Sequence, residues 1–363
     1  MYSETDIQTA VADGAISAEA AAALRAHVAT LRETPAVDEE SFRLLTGFND
    51  IFVSIAAAIL LVAVGWIGQS IWPVDGPSPL AGALVAGSAW ALAEYFTRQR
   101  RMALPSILLL LAFSGGIFAM LGGFIAVGGE DMFGSNPDPR LMSTLIAGIA
   151  LITAGATWLH WRRFMVPITV AVGAAAIAGT IIALILAGIG EVDNMRTIVL
   201  GLVLVAGLGV FALAMNWDMS DKLRQTRRSD VAFWLHLLAA PMIAHALFSL
   251  LGVTEGNAIS AGSAILVIAI YVAMGVVALA IDRRALLVSA LAYVLYALTE
   301  LFREFGAVEL NVALTALVIG SALLLLSAFW QNARAYIVAM LPDSVSDRLP
   351  VIAAPATVAT LTA

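Results

Sequence analysis

Two histidines are the residues of this sequence best suited to proton chemistry. His236 and His245 lie in an apolar stretch, 232–252, on either side of Pro241. Imidazole binds and releases protons near neutral pH, and ionisable groups inside apolar stretches of this kind often mark a relay or pathway. Nine residues rotate a straight helix by about 900°, so the two histidines are predicted on opposite faces. Pro241 removes a backbone hydrogen bond in mid-helix and is a predicted hinge.

A second apolar stretch, 285–302, carries a polar stripe. Its members, spaced i, i+3 and i+7 on one helix face, are Tyr293, Tyr296 and Glu300. His245 and Glu300 stand at similar distances from the starts of their stretches, so we hypothesise that they form a pair at similar depth. The alternative is structural: Arg303 neutralises Glu300, and His245 binds a carbonyl that Pro241 has freed.

The sequence offers little else that could support catalysis. It contains no cysteine, which excludes disulfides, thiolate metal ligands and thiol nucleophiles. It has no phosphate-binding loop and no histidine pair at metal-ligand spacing. We therefore predict no catalytic residue, no metal site and no cofactor, and we do not expect an enzyme. Without a basic block, nucleic-acid binding is not expected either.

The composition indicates a chain that lies in lipid. Hydrophobic residues make up 61% of the 363 residues and charged residues 12%, and the mean hydropathy is +0.93. Soluble domains have about 25% charged residues, because their surface must be solvated. The sequence therefore predicts an integral membrane protein with the lipid bilayer as its main partner.

Apolar stretches long enough to cross a membrane define the predicted fold. A spanning helix needs about 20 mostly apolar residues. Ten stretches qualify: 51–72, 78–96, 104–128, 142–160, 165–189, 197–215, 232–252, 261–281, 285–302 and 308–330. The predicted fold class is all-α, a polytopic bundle of about ten transmembrane helices. The predicted domains are a helical module (1–48), the bundle (49–332) and a C-terminal tail (333–363), whose residues 343–363 are expected to be disordered.

Basic residues indicate the orientation of the chain. If the ten stretches cross in turn, 16 of the 19 Lys and Arg residues fall on one side of the membrane. Cytoplasmic loops carry the excess of positive charge, so both termini are predicted in the cytoplasm. No cleavable signal peptide is apparent before the first stretch, and the preference for Arg and Ala favours a bacterial inner membrane.

A faint repeat and a set of glycines bear on helix packing. Residues 100–105 (RRMALP) match residues 162–167 (RRFMVP), and arginine pairs recur at 227/228 and 283/284. The predicted unit is one outgoing and one returning helix. The alternative is that the arginine-rich loops merely alternate, as in any short-looped membrane protein. Glycine pairs at 115/116, 122/123 and 128/129 predict close helix contact.

The N-terminal module reads as a helical hairpin. One helix is predicted to end near Gly14 and the next to begin at Ser17, with Glu19 in its first turn. Residues 7–20 (IQTAVADGAISAEA) resemble the opening of a bacterial family of predicted membrane proteins, the domain of unknown function 2157. The resemblance implies a short cytoplasmic hairpin followed by many spans, and it implies no activity.

Two function classes remain open. A transporter or permease of a small solute would use His245, Glu300 and the Pro241 hinge, within a possible intramembrane polar site that also includes His236, Tyr293 and Tyr296. A non-catalytic scaffold or sensor would dock a cytoplasmic protein partner through residues 1–48. A homo-oligomer is compatible with either.

Overall fold

The computed structural model describes residues 10–24, 48–134, 137–222, 224, 226–253, 260–304 and 310–350. Throughout these residues every regular element is a helix. Residues 48–350 lie in one compact unit, and residues 10–24 belong to another.

The compact unit contains ten long helices in the predicted stretches. They are α1 (Phe48–Ile71), α2 (Pro79–Ala93), α3 (Ala103–Phe133), α4 (Pro139–Phe164), α5 (Ile168–Ile189), α6 (Met195–Met219), α7 (Arg227–Leu250), α8 (Ala261–Ile281), α9 (Ala285–Glu304) and α10 (Asn311–Ala328). Within the described ranges, all of these except α2 are long and apolar enough to cross a membrane. The predicted all-α bundle of an integral membrane protein is confirmed.

Helix α2 differs from the others in its backbone. After Ala93 it continues as a π-helical segment, Glu94–Gln99. Together the two cover the predicted stretch 78–96. A π-helical turn shifts each backbone hydrogen bond by one residue relative to an α-helix. Glu94 is the first residue of this segment.

The helices pack as four antiparallel hairpins, α2–α3, α4–α5, α6–α7 and α8–α9. In the described chain, each hairpin turn contains one non-glycine residue with positive φ, between 53° and 57°: Arg101, Met165, Arg224 and Asp282. The links before the hairpins instead contain positive-φ glycines: Gly76, Gly134, Gly190 and Gly252. Left-handed backbone is uncommon for non-glycine residues, so its place in every hairpin agrees with the predicted two-helix repeat.

The hairpin turns mark what we call the arginine-rich end of the bundle. There, Glu94 after α2 binds Arg163 at the end of α4, with 2.7 Å between Oε1 and Nε. In the same way, Asp218 at the end of α6 binds Arg283 just after α8, with 2.6 Å between Oδ1 and Nη2. An acid–arginine pair thus connects α2 with α4 and another connects α6 with the end of α8. These pairs define two four-helix units, α2–α5 and α6–α9.

The C-terminal part differs from the prediction. The predicted stretch 308–330 is interrupted near its end, because α10 ends at Ala328 and a separate helix, α11 (Trp330–Ala339), follows. A short helix, α12 (Asp343–Ser346), comes next, and the carbonyl oxygen of Pro350 accepts a hydrogen bond of 2.7 Å from Arg334 Nη2. The expected disorder was wrong for residues 343–350. Residues 351–363 lie outside the described chain.

The described part of the N-terminal module agrees with its predicted turn. Residues 10–12 and 18–24 are helical, and Gly14 between them has φ +72°. The Ser17 hydroxyl oxygen accepts a 3.0 Å hydrogen bond from the Ala20 amide, as expected at a helix start. The rest of the predicted module lies outside the described residues.

Candidate functional site

Three ionisable side chains from three different segments meet at the arginine-rich end. The Asp218 carboxylate at the end of α6 accepts a 2.6 Å hydrogen bond from Arg283 Nη2. Its other oxygen lies 2.8 Å from Nε2 of His236, on α7. The side chains of all three are at most 3% exposed. We call Asp218, His236 and Arg283 the buried trio.

The surroundings of the buried trio define its hydrogen bonding. An ionised carboxylate only accepts hydrogen bonds, so His236 Nε2 donates to it while Asp218 is charged. The Phe211 ring from α6 packs edge-on against the imidazole, with ring centroids 5.3 Å apart. The Arg283 guanidinium also reaches the carbonyl of Ser229, at 3.4 Å. The trio therefore joins the ends of α6 and α8 to the first half of α7.

Asp282, which directly precedes Arg283 in the sequence, forms a second acidic centre. The Asp282 carboxylate accepts hydrogen bonds from Arg224 Nη1 at 2.8 Å and from the Trp330 indole at 2.7 Å. Arg334 Nε approaches the same carboxylate at 3.9 Å. Asp282 therefore links the α6–α7 turn to α11, and Arg334 continues the connection to Pro350.

The buried cations of this region depend on the neighbouring carboxylates. Burial lowers the pKa of Arg224 below its usual value, and the charge of Arg283 adds to the effect, whereas Asp282 opposes it. Arginine nevertheless keeps its proton in proteins. The region thus contains several cations whose charges depend on Asp218 and Asp282 for compensation.

The corresponding ion pair in the first four-helix unit is far more open. Glu94 accepts two hydrogen bonds from Arg163, at 2.7 and 2.9 Å, and one from Arg98 at 3.3 Å. The side chains of Glu94 and Arg163 are 31% and 41% exposed. Such pairs are screened by solvent. Of the two corresponding ion-pair sites, only the buried trio is shielded from solvent.

The predicted site residues fall into separate contacts. His236 belongs to the buried trio. His245 Nδ1 lies 2.7 Å from the Tyr293 hydroxyl, and Glu300 lies 3.7 Å from Arg303. The structure thus places His245 and Glu300 in different contacts, and the suggested neutralisation of Glu300 by Arg303 is present. Tyr296, on the same helix, is partly buried.

The two histidines of α7 lie on different faces, as their spacing predicted. His236 is buried and His245 is exposed. Pro241 lies between them in the interior of a helix that continues to Leu250. One helix thus carries a buried contact on one side of the proline and an exposed contact, to α9, on the other.

Sequence reasoning missed Asp218, Arg283 and Asp282. Asp218 lies three residues beyond the predicted stretch 197–215, and Arg283 was considered only as a loop cation. A usable signal was present: these acids stand on the side of the membrane that is otherwise rich in arginine. A carboxylate placed among loop arginines is a reason to expect a specific pair.

A large apolar groove lies beside these contacts, between α4, α5 and α6. Its volume is about 630 Å³, within the usual range for ligand sites. Helices α5 and α6 pack less closely than the hairpin partners, and the groove occupies the space between the two four-helix units. Trp158, Trp161 and Trp217 line it near the arginine-rich end, and isoleucines such as Ile181 line its length.

Comparison of the chain with protein-family models, with curated proteins and with solved structures finds no match.

Proposed function

We propose that this chain is a proton-coupled permease of a small solute in a bacterial inner membrane, with both termini cytoplasmic. The buried trio is the observation that carries the proposal. Membrane proteins rarely keep an aspartate, a histidine and an arginine in buried contact, and such groups commonly form proton relays in transporters. The proposed permease uses Asp218 and His236 as its proton-binding pair.

The contacts of α7 support a mechanism for coupling. A proton that binds Asp218 removes the negative charge that holds Arg283, and so weakens the link between the ends of α6 and α8. The half of α7 before Pro241 then loses its anchor at His236, while His245 keeps the other half on Tyr293 of α9. A proline within a helix is a common site of bending. The two similar four-helix units supply the parts that would move against each other.

A change of accessibility tests this mechanism without a known substrate. Asp218→Asn mimics the neutral carboxyl group. We expect it to change the rate at which an impermeant maleimide labels the single Cys variants Leu250→Cys and Glu300→Cys, by about fivefold or more. Leu250 is the exposed last residue of α7, and its replacement leaves the His245–Tyr293 contact in place. The chain has no native cysteine, so each label reports one position. Labelling is measured in proteoliposomes.

Glu94→Gln is the matched control for Asp218→Asn, because it removes the negative charge of the solvent-exposed Glu94–Arg163 pair in the first four-helix unit. It should leave both labelling rates unchanged. If Asp218→Asn also leaves both rates unchanged, the buried trio is not coupled to the far half of α7, and the permease mechanism fails.

That negative result would favour the second candidate, a scaffold or sensor. The observation behind this alternative is that the described residues 10–24 belong to a different compact unit from the helical bundle. A separate helical hairpin is suited to docking a cytoplasmic protein. The resemblance of residues 7–20 to the domain of unknown function 2157 stays a prediction and adds no activity to either candidate.

The proposed orientation is tested at the two ends of α2 and its π-helical extension. Asp75 and Gln99 are both exposed. In intact cells, an impermeant maleimide should label Asp75→Cys and not Gln99→Cys, whereas both should react after the cells are opened. The reverse pattern in intact cells would show that the arginine-rich end faces outward.

A further inference from the structure

The groove between α4, α5 and α6 has the shape and lining of a chain-binding site. Along α5 it extends from Thr169 to Ile185, which is about 24 Å at the rise of an α-helix. This is most of the hydrocarbon thickness of a bilayer, about 30 Å. The side chains of Ile181 and Val205 are 53% and 67% exposed, so the groove opens sideways towards lipid.

One end of the groove differs from the rest. Trp158, Trp161 and Trp217 lie there, and tryptophan favours the membrane interface. Thr169 also lines this end. It is 1% exposed, and its hydroxyl group has no hydrogen-bond partner among the residues that the structure describes. A buried hydroxyl without a partner is unfavourable, so a bound polar group at this end would satisfy it.

A cation lies at the same end of the groove. The Arg162 guanidinium stacks over the Trp158 ring, 5.1 Å from its centroid, and the Arg162 side chain is exposed. Among the described residues, no carboxylate lies within ion-pair distance of it. Arginine binds carboxylates through two parallel hydrogen bonds.

The opposite end offers an anion no such advantage. Glu191 and Asp193 are exposed there, and Arg140 instead contacts the Ile189 carbonyl at 3.5 Å. The charges along the groove therefore orient an anionic amphiphile with its head towards Arg162.

We propose that this groove binds a long-chain carboxylate, with the acyl chain between α5 and α6 and the carboxylate at Arg162 and Thr169. A groove of this volume suits one acyl chain, which favours a fatty acid over a two-chain phospholipid. The site is distinct from the buried trio, and its occupancy does not depend on proton-coupled transport.

Glycines in α6 allow the groove to be filled selectively. Gly209 lines the groove, and a Cβ added at this position would meet no atom within 4 Å. Gly201, two turns earlier, has equally open space but does not line the groove. Gly209→Leu and Gly201→Leu therefore differ in whether they occupy the groove. Gly173→Leu fills it from α5 and is a second, independent variant.

The test uses a diazirine-bearing fatty acid on full-length protein in phosphatidylcholine nanodiscs. We expect photolabelling of α5 and α6 along the groove, reduced about tenfold by Gly209→Leu and by Gly173→Leu, and unchanged by Gly201→Leu. Arg162→Gln should reduce labelling by the carboxylate about tenfold and should not affect labelling by its methyl ester.

Two results would overturn the proposal. Labelling spread evenly over the lipid-facing helices and insensitive to Gly209→Leu would mean that no site exists. Competition by anionic phospholipid, with none by unlabelled fatty acid, would mean that a phospholipid is the occupant.

Discussion

Replacement of Asp218 by alanine should destabilise the helical bundle by about 3–5 kcal/mol, because it leaves a buried cation without its partner. Arg283 is 2% exposed and binds both oxygens of this carboxylate. His236 loses its acceptor in the same step. The free energy of SDS-induced unfolding in mixed micelles measures the loss. Glu94→Ala removes the equivalent acid of the first unit and should have little effect, since that pair is open to solvent.

The size of the loss should depend on which charges remain. The single variant Arg283→Met leaves Asp218 buried with only His236, whereas the double variant Asp218→Leu/Arg283→Met leaves no buried charge of the pair. Buried ion pairs replaced by apolar residues of similar volume often cost little stability. The double variant should therefore be more stable than Arg283→Met by about 1 kcal/mol or more. Losses that simply add would show that the two groups do not interact energetically.

The long helices could be predicted because their signal is local. An apolar stretch reports its own length, and in lipid a backbone of that length has to satisfy its hydrogen bonds within itself. Details that do not change hydropathy were not predictable. The π-helical turn after Ala93 and the break at Phe329 alter hydrogen-bond register, and neither leaves a mark in the apolar pattern.

The candidate site was predictable only in part, for a physical reason. His236 was apparent because it interrupts an apolar helix. Its partner Asp218 is 18 residues away, and Arg283 is 65 residues from Asp218. Which loop ends meet depends on the rotation and packing of whole helices, and a single sequence does not contain that information. The same limit explains why His245 contacts Tyr293 of the predicted polar stripe while Glu300 contacts Arg303.

The arginines show how one residue type serves two roles. Counted together they predict orientation, because loop cations resist translocation. In the structure some of them also hold helix ends together through buried or partly buried pairs, as Arg283 does with Asp218 and Arg224 with Asp282. Removal of one such arginine should therefore change stability as well as charge balance. Orientation experiments on this chain should use single cysteines rather than altered arginines.

Gly116→Ala should destabilise the α2–α3 hairpin by about 1–3 kcal/mol, whereas Gly115→Ala should be neutral or stabilising by up to about 1 kcal/mol. An added Cβ at Gly116 would lie 2.8 Å from the Ala86 amide nitrogen and 2.8 Å from the Gly82 carbonyl oxygen. These are backbone atoms, so relief requires the two helices to separate. At Gly115 the same Cβ would meet nothing within 4 Å. The same SDS-induced unfolding measures both variants.

The reciprocal substitution separates helix contact from a local effect in α3. Gly82→Ala places a Cβ on α2 against the Met120 amide nitrogen and 2.7 Å from the Gly116 carbonyl oxygen, so it should destabilise at least as much as Gly116→Ala. Equal stability of Gly115→Ala and Gly116→Ala would contradict the close contact. Apolar burial between helices gains little in a bilayer, since the lipid is equally apolar. A loss confined to Gly82 and Gly116 would therefore mean that backbone approach, rather than side-chain burial, holds this hairpin together.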